Sequence, residues 1–312
     1  MAILYLAIAL LALASPLVKW LIQSGGALGV DNPGAISFCN VLFVGNLLGG
    51  IVAGVSFHPK RVAADLKQAT RGTWVLLGVN VLLAVAIPML LFTALSSTTV
   101  TNLVLIGRFE SVIFAVLAAC LGVSAINRGQ VLGYTIIVVG IVALVLIQGM
   151  GSLQTGDYLV LGAAFLQAVA ALLVKRMLRG VRPGSFVFVR NLFSAIVFFI
   201  VAIILYGAEH FAEAFYGDLW IVMLVYAIVV VVIGQSAWYY SLERCRPEQV
   251  ATATLLTPFL AVAFAYLLLG EVPQVAHWIG GGVILTGMLI VYRGGKRAEG
   301  AQRAPESTLA GV

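Results

Sequence analysis

Ten apolar runs of about twenty residues each constrain this chain more than any other feature. A helix needs about 20 mostly apolar residues to cross the hydrocarbon core of a bilayer, and every run has that length. Short loops join the runs, so the sequence predicts an all-α integral membrane bundle of antiparallel helices. The ten predicted spans are residues 2–22, 34–56, 73–95, 99–121, 129–148, 157–178, 185–206, 218–241, 249–269 and 275–293.

Composition agrees with a membrane protein and argues against other classes. Hydrophobic residues make up 62% of the chain and charged residues 10%, against about half and about a quarter in soluble domains. The first run lacks a basic start and a small-residue cleavage site, so it does not resemble a signal peptide. The three cysteines show no metal-ligand spacing. We therefore expect no cofactor and no metal.

The basic residues are concentrated in alternate loops. Lysines and arginines follow spans 2, 4, 6, 8 and 10, whereas the loops between them carry acidic residues such as Asp157 and Glu271. The positive-inside rule therefore predicts that both termini lie in the cytoplasm. This bias also explains the net charge of +6 without nucleic-acid binding. The polar tail, residues 296–312, is expected to be disordered.

The chain repeats itself at a shift of about 148 residues. Under this shift Gly122 falls on Gly270, and Gly133 falls on Gly281. Both copies therefore carry a short turn followed by a glycine-bearing span. A repeat of this kind predicts two copies of one structural unit.

Each predicted unit has five spans, and this odd number inverts the second unit in the membrane. The predicted units are residues 1–150 and 151–295. Inverted repeats are typical of secondary transporters, in which the substrate site lies near the midplane and access alternates between the two sides. A duplicated structural bundle without transport is the alternative interpretation.

The chain, with its duplicated five-span unit, resembles the drug/metabolite transporter superfamily, in its ten-helix EamA-type branch. The resemblance rests on Pro258 in span 9, Gly270 and Glu271 at the following turn, and glycines 280–282 with Gly287 in span 10. It covers residues 1–295. It implies a permease that exports small metabolites, often amino acids or drug-like amphiphiles, across a plasma (inner) membrane.

The first unit departs from the EamA pattern at two positions. Glu110 occupies the place of the expected proline, and Val123 rather than a glutamate follows Gly122. Residue roles carried over from the family are therefore not assigned in this half.

Two charges near the middle of span 4 are the strongest site candidates. Charged side chains inside a membrane are costly and tend to face an aqueous cavity. Arg108 is suited to bind a substrate carboxylate in a bidentate contact, and Glu110 to bind an amine or carry a proton. The alternative is a structural ion pair with another helix, for example through Arg190.

Other polar side chains extend the predicted site. Lys19 lies near the end of span 1 on the side poor in basic residues, where it either lines a cavity or snorkels to the interface. Gln235, Trp238 and Tyr239 share one helical face, which suits stacking on a substrate or an interfacial aromatic belt. Polar residues such as Asn80 also serve as hydrogen-bonding contacts between helices. The predicted substrate-binding residues are Arg108, Glu110, Lys19, Asn40, Asn80, Arg190, Gln235, Trp238 and Tyr239.

The sequence thus predicts a secondary transporter of small organic metabolites, exporting amino acids or related compounds by alternating access. No phosphate-binding loop is present and the histidines form no ligand cluster, so an enzyme is not expected. The alternatives are a proton-coupled drug or multidrug exporter, and, in another class, a channel or a non-transporting membrane assembly protein. The expected partners are a small-molecule substrate and the lipid bilayer, with no nucleic acid, for a monomer or homodimer.

Overall fold

The computed structural model is helical throughout the residues it describes, which contain no β-strand. It describes residues 2–24, 38–56, 59–122, 125–148, 154–177, 183–207, 224–234, 237–238, 240–241, 245 and 253–309. A π-helical segment covers Ala227–Gly234. The α-helices are α1 (Ala2–Ser24), α2 (Phe38–Ser56), α3 (Pro59–Gln68), α4 (Arg71–Leu95), α5 (Val100–Ile106), α6 (Phe109–Cys120), α7 (Arg128–Gln148), α8 (Thr155–Met177), α9 (Pro183–Tyr206), α10 (Thr257–Leu269) and α11 (Val275–Leu309).

Seven helical stretches in the described part of the chain are long and apolar enough to cross a membrane. Their positions match predicted spans 1, 3, 4, 5, 6, 7 and 10, so the prediction of a multi-pass, all-helical membrane protein is confirmed. Predicted spans 2, 8 and 9 include residues outside the described ranges, and the total of ten stays a prediction. The seven stretches are Ala2–Trp20, Arg71–Leu95, Val100–Cys120, Arg128–Ile147, Thr155–Val174, Gly184–Leu205 and Val275–Gly295.

A short surface helix, α3, occupies a segment that the sequence analysis treated as a loop. Pro59 stands at its first position, where its missing N–H costs no helical hydrogen bond. Val62 is buried, and Leu66 packs against a small cluster that includes Leu77. The apolar stripe of a ten-residue helix is too short to be recognised as a span, so composition indicated only a polar connection.

Span 4 is broken, in contrast to the continuous helix predicted over residues 99–121. α5 ends at Ile106, Gly107 and Arg108 form a turn, and α6 begins at Phe109. All seven residues of α5 are buried. The turn contains Arg108 and lies two residues before Glu110, so irregular backbone occurs at two of the predicted site residues.

The region around Pro258 also differs from the prediction, which placed this proline well inside a helix. Residues 255 and 256 form a turn and α10 begins at Thr257, so Pro258 lies in the first helical turn. A proline there costs no intrahelical hydrogen bond. This break lies 148 residues after the one in span 4.

Gly122 and Gly270 follow the two corresponding helices and share one backbone conformation. Both have φ of 65°, a left-handed conformation in which a Cβ atom would be strained. In Gly270 this conformation forms the C-cap of α10, a common helix-ending motif. The repeat that the sequence shows at these glycines thus extends to their backbone conformation.

Glycines allow α7 and α11 to pack with their backbones almost in contact. A Cβ atom at Gly287 would lie 2.7 Å from the carbonyl oxygen of Gly133, and one at Gly280 would lie 3.0 Å from that of Gly140. The residue numbers run in opposite directions, so the helices are antiparallel. Of the predicted glycine patch, only Gly280 faces α7. Gly281 faces Leu105, and no described atom lies within 4 Å of a Cβ at Gly282.

The C-terminal part of α11 differs from the expected disordered tail, because the helix continues to Leu309. Alanine, arginine and glutamate recur after residue 295, and all three have high helix propensity. Overall polarity, which predicts disorder, does not reflect this local preference.

The largest hydrophobic cluster in the described chain surrounds α5. It includes Leu105 and Ile106 of α5, Ile137 of α7, Ala261 of α10 and Ile284 of α11. Elsewhere α2 packs on α9, α4 and α6 pack on α8, and α1 packs on α10. This arrangement places the start of α5 beside the turn between α10 and α11.

Candidate functional site

A nearly buried ion pair joins α1 to the turn between α10 and α11. Lys19 Nζ lies 3.0 Å from Glu271 Oε1, and the two side chains are 13% and 15% exposed. Lys19 Nζ also donates to the carbonyl oxygen of Thr98 at 2.9 Å. Lys19 is therefore held by protein groups, which differs from both environments considered in the sequence analysis.

The same carboxylate accepts hydrogen bonds from the start of α5. The backbone N–H of Val100 donates to Glu271 Oε2 at 3.0 Å, and that of Thr101 donates to the same oxygen at 3.4 Å. A carboxylate is favoured at the N-terminus of a helix because the N–H groups there lack intrahelical partners. We call Lys19, Glu271, Thr98 and these two backbone amides the latch.

A second polar network lies beside the latch and is centred on Asp157 at the start of α8. Thr98 Oγ1 donates to Asp157 Oδ1, and Asn102 Nδ2 donates to the same oxygen at 3.4 Å. Asp157 Oδ2 accepts from the backbone N–H of Gln154 at 3.1 Å. Asp157 is fully buried, and these bonds supply the partners that a buried carboxylate needs.

His277 connects this network to α11. Its Nδ1 accepts from the backbone N–H of Gln274 at 2.8 Å, and its Nε2 lies 3.0 Å from Asn102 Oδ1. A neutral imidazole carries one proton, and Nδ1 acts as an acceptor, so Nε2 is assigned as the donor to Asn102. The interhelical hydrogen bonds of Asn102 match one of the uses considered for polar residues in the spans.

Six hydrogen-bonded pairs in the latch and the Asp157 network connect residues before position 150 with residues after it. All of them lie at the end of the bundle that carries Glu271. At the opposite end, Ser185 donates to Asp65 at 2.6 Å and Asn127 donates to the carbonyl oxygen of Gly294 at 2.9 Å. The six pairs are Lys19–Glu271, Val100–Glu271, Thr101–Glu271, Thr98–Asp157, Asn102–Asp157 and Asn102–His277.

Arg108 and Glu110 lie at the break in span 4. Arg108 is the residue just before α6, and its side chain makes no capping hydrogen bond to the helix. Glu110 lies in the first turn of α6. Each charge is close enough to affect the other electrostatically, yet they form no ion pair within 4 Å. The Nε atom of Arg108 is buried and has no hydrogen-bond partner among the described residues.

The remaining predicted site residues are not gathered with Arg108 by any described hydrogen bond. Asn80 is buried on α4, and its Oδ1 has no partner in the described part of the chain. Arg190 is half-buried on α9. Trp238 packs beside the cluster of Leu4, Ile8 and Ala253. Gln235, Tyr239 and the side chain of Asn40 lie outside the described residues. Substrate contact by any of the nine predicted residues stays a prediction.

Sequence reasoning did not identify Thr98, Asp157 and His277 as parts of one network. Asp157 and Glu271 were noted only as acidic loop residues. A sequence signal was nevertheless present, because Lys19 is an isolated cation on the side of the bundle where the acidic residues are found. A cation in that position is expected to pair with one of the loop carboxylates.

Replacing Asn102 with alanine should destabilise the protein by about 2 kcal/mol, because Asp157 loses one hydrogen bond and His277 Nε2 loses its partner in a buried site. Thermal unfolding in detergent, monitored by loss of the monodisperse peak, measures this loss. Asn80→Ala is the matched control, since it removes the same atoms from another buried position without breaking a described hydrogen bond. Equal losses in both variants would show that the network adds no stability.

Comparisons with known proteins support a transporter fold. The sequence pattern of the EamA-like transporter family matches residues 154–293. An uncharacterized transporter of Synechocystis sp. is 37% identical over 297 residues, covering 92% of this chain and 85% of the relative. A probable amino-acid metabolite efflux pump of Salmonella typhimurium is 27% identical over 173 residues, covering 53% of this chain and 58% of the relative.

Two further comparisons extend over most of the chain. An uncharacterized transporter of Methanothermobacter thermautotrophicus is 27% identical over 236 residues, or 72% of this chain and 66% of that protein. One crystal structure covers 94% of this chain and 98% of its own, with a TM-score of 0.60 and 17% identity, which shows a shared fold. Together with the membrane-spanning helices, these relatives confirm the resemblance noted at Gly270 and Glu271: the chain belongs to the EamA-like transporter family of the drug/metabolite transporter superfamily.

Proposed function

We propose that this protein is a secondary transporter that exports amino acids or related small metabolites. It works by alternating access between two inverted five-helix repeats, residues 1–150 and 151–295, in an inner membrane. The name of the Salmonella relative, an efflux pump for amino-acid metabolites, supports this substrate class. The name of the Synechocystis relative supports transport in general.

The pair of matched helix breaks carries this proposal. Turns interrupt the chain at residues 107–108 and 255–256, and each is followed by a helix with a glycine of φ 65° within two residues of its end. Discontinuous helices at corresponding positions of two repeats are where many secondary transporters bind substrate, because the interrupted backbone faces a cavity. A purely structural bundle has no need for two such breaks.

Helix packing supports a two-fold relation between the repeats. The pairs α2–α9 and α7–α11 each join equivalent spans. The packing of α4 on α8 corresponds to that of the π-helical segment on α1, and the packing of α6 on α8 corresponds to that of α10 on α1. These correspondences are those expected if each five-span unit is inverted on the other.

The break in span 4 offers groups for both charges of an amino acid. Arg108 has a buried Nε atom without a partner in the described chain, and a carboxylate would supply that partner. Glu110, two residues later, is half-buried and suits an ammonium group. The substrate would thus complete an arrangement that is electrostatically unsatisfied without it.

The latch and the Asp157 network support a closed gate at one end of the pathway. The positive-inside prediction places the Glu271 turn outside the cell, so this conformation is closed toward the outside. Rocking of one repeat on the other must break contacts such as Lys19–Glu271, which joins the two repeats. Opening of this end therefore requires that the hydrogen bonds of the latch be replaced by hydrogen bonds to water or substrate.

Arg108→Ala is expected to lower transport by tenfold or more, because a charged hydrogen bond contributes about 1.5–3 kcal/mol. The assay is counterflow of labelled amino acids and other small metabolites into liposomes that contain the purified protein. Arg128→Ala, at an exposed arginine, is the control and should leave flux unchanged. Unchanged flux in a folded Arg108→Ala variant would remove this residue from the site.

Two further experiments separate the proposal from its alternatives. Cysteines at Lys19 and Glu271, joined by a short bifunctional reagent after replacement of the native cysteines, should stop a carrier but spare a pore. Flux that follows an imposed pH gradient and disappears in Glu110→Gln would indicate the proton-coupled drug exporter instead. The absence of any solute movement would favour a non-transporting assembly protein.

A further inference from the structure

A lateral groove of about 450 Å³ separates α10 and α11 near α5. Aromatic side chains form its rim, where Phe259 is 50% exposed, Tyr266 55% and Trp278 66%. Its floor includes Leu105 and Gly281. Since α11 and the α5–α6 stretch are long and apolar enough to cross a membrane, the groove lies within the depth of the bilayer, and its exposed aromatic rim suits contact with hydrocarbon.

The length of the groove matches one leaflet. It follows α11 from His277 to Leu285, and the eight steps between these residues extend about 12 Å at 1.5 Å each. Half of a hydrocarbon core of about 30 Å is about 15 Å. One end of the groove adjoins the Glu271 turn, so it extends from the membrane surface toward the midplane in the same direction as a lipid chain.

The polar features of the groove are confined to the end near the latch. Thr101 lines it, is 2% exposed, and has a buried Oγ1 atom without a hydrogen-bond partner among the described residues. The described lining contains no Asp, Glu, Lys or Arg. His277 is already bonded to Gln274 and Asn102. The groove therefore suits an uncharged alkyl chain with a hydrogen-bond acceptor at one end.

We infer that this groove binds one acyl chain of a membrane phospholipid, from the leaflet at the Glu271 end, with a lipid ester oxygen accepting from Thr101 Oγ1. The bound chain would pack against parts of the latch and its neighbouring network. The backbone N–H of Thr101 donates to Glu271, and His277 is bonded to Asn102. Lipid in the groove thus stabilises the closed arrangement of this end.

Gly282 provides a direct test, because it lines the groove and no described atom lies within 4 Å of a Cβ there. Gly282→Phe should fill the groove without a backbone clash. Gly162→Phe is the matched control, since Gly162 is an equally open, exposed helical glycine outside the groove. Native mass spectrometry of protein purified in mild detergent counts the retained phospholipids.

Wild type and Gly162→Phe should retain one phospholipid more than Gly282→Phe, whose occupancy falls by about tenfold as the ring overlaps the chain. Equal retention in all three proteins would overturn the inference. Retention of only detergent, or of a non-lipid amphiphile that Gly282→Phe displaces, would overturn it as well. The assay measures lipid and not flux, so its outcome is independent of the proposed transport activity.

A fluorescence measurement keeps the inference testable if Gly282→Phe does not fold. The test uses a protein in which Trp278 is the single tryptophan. Phospholipids brominated on the acyl chain should quench the Trp278 fluorescence of this protein more strongly than that of its Thr101→Val variant. Bilayers with a small fraction of brominated lipid report preferential binding at this position. Quenching that is identical with and without Thr101→Val would contradict the role of the hydroxyl group.

Discussion

Glu271→Ala should accelerate amide hydrogen exchange at Val100 and Thr101 by about 30-fold. The substitution removes the acceptor of both N–H groups and leaves Lys19 nearly buried with one partner. Removing one member of a buried ion pair costs about 3–5 kcal/mol. Because the two side chains are 13% and 15% exposed, water screens part of that cost, and about 2 kcal/mol is expected. Exchange mass spectrometry of the peptide that spans α5 gives the measurement.

Lys19→Met distinguishes opening of the latch from loss of a single acceptor. This variant keeps Glu271 available to both amides, so faster exchange at Val100 reports movement of the turn itself. We expect about a tenfold increase, since the charged hydrogen bond to Glu271 is lost. Lys60→Met, at an exposed lysine of α3, is the control and should leave the exchange rate at Val100 unchanged. Exchange rates that match wild type in both latch variants would show that the ion pair does not hold this end closed.

Gly287→Ala should destabilise the bundle by about 3 kcal/mol, at the upper end of the usual cost of overpacking. The new methyl group would lie 2.7 Å from the carbonyl oxygen of Gly133 and 2.8 Å from the backbone nitrogen of Ile137. Backbone atoms cannot rotate away as a flexible side chain can, so α7 and α11 must separate along their interface. Heating followed by size-exclusion chromatography should show a midpoint lower by at least about 5 °C.

Replacement of glycine with alanine at an open position should not lower the stability of the protein. Gly162→Ala meets no described atom within 4 Å, and alanine favours a helix over glycine by about 1 kcal/mol. This control should therefore be neutral or slightly more stable than wild type. If Gly287→Ala behaved like Gly162→Ala, the close approach of α7 and α11 would not exist in the membrane.

The repeat in the sequence predicted only part of the backbone structure at the two helix breaks. Gly122 and Gly270 were matched from sequence, and their shared φ of 65° confirms a local correspondence. The turn at Gly107 and Arg108 was not predicted, because neither residue is a strong helix breaker in an apolar run. Pro258 marked the second break, but its position was read as the interior of a helix.

Only some residues of the candidate site could be identified from the sequence. Arg108 and Glu110 were identified because charges are rare in apolar spans. The partner of Lys19 was not, because Glu271 is 252 positions away in the chain. Asp157 and His277 were likewise seen as separate loop-end residues, whereas the structure joins them through Asn102.

The sequence by itself determined that this chain crosses a membrane many times and belongs to a transporter family. Lengths of apolar runs and the local pattern at Gly270 and Glu271 are sufficient for that. Only the tertiary structure decided which faces meet and which polar groups pair. The reason is that lipid-facing surfaces are as apolar as buried ones: Phe259 at 50% exposure and Phe198 at 0% are the same residue type. A helix that is apolar on all sides carries no stripe to mark its inner face, so contacts between distant segments depend on packing that local sequence does not encode.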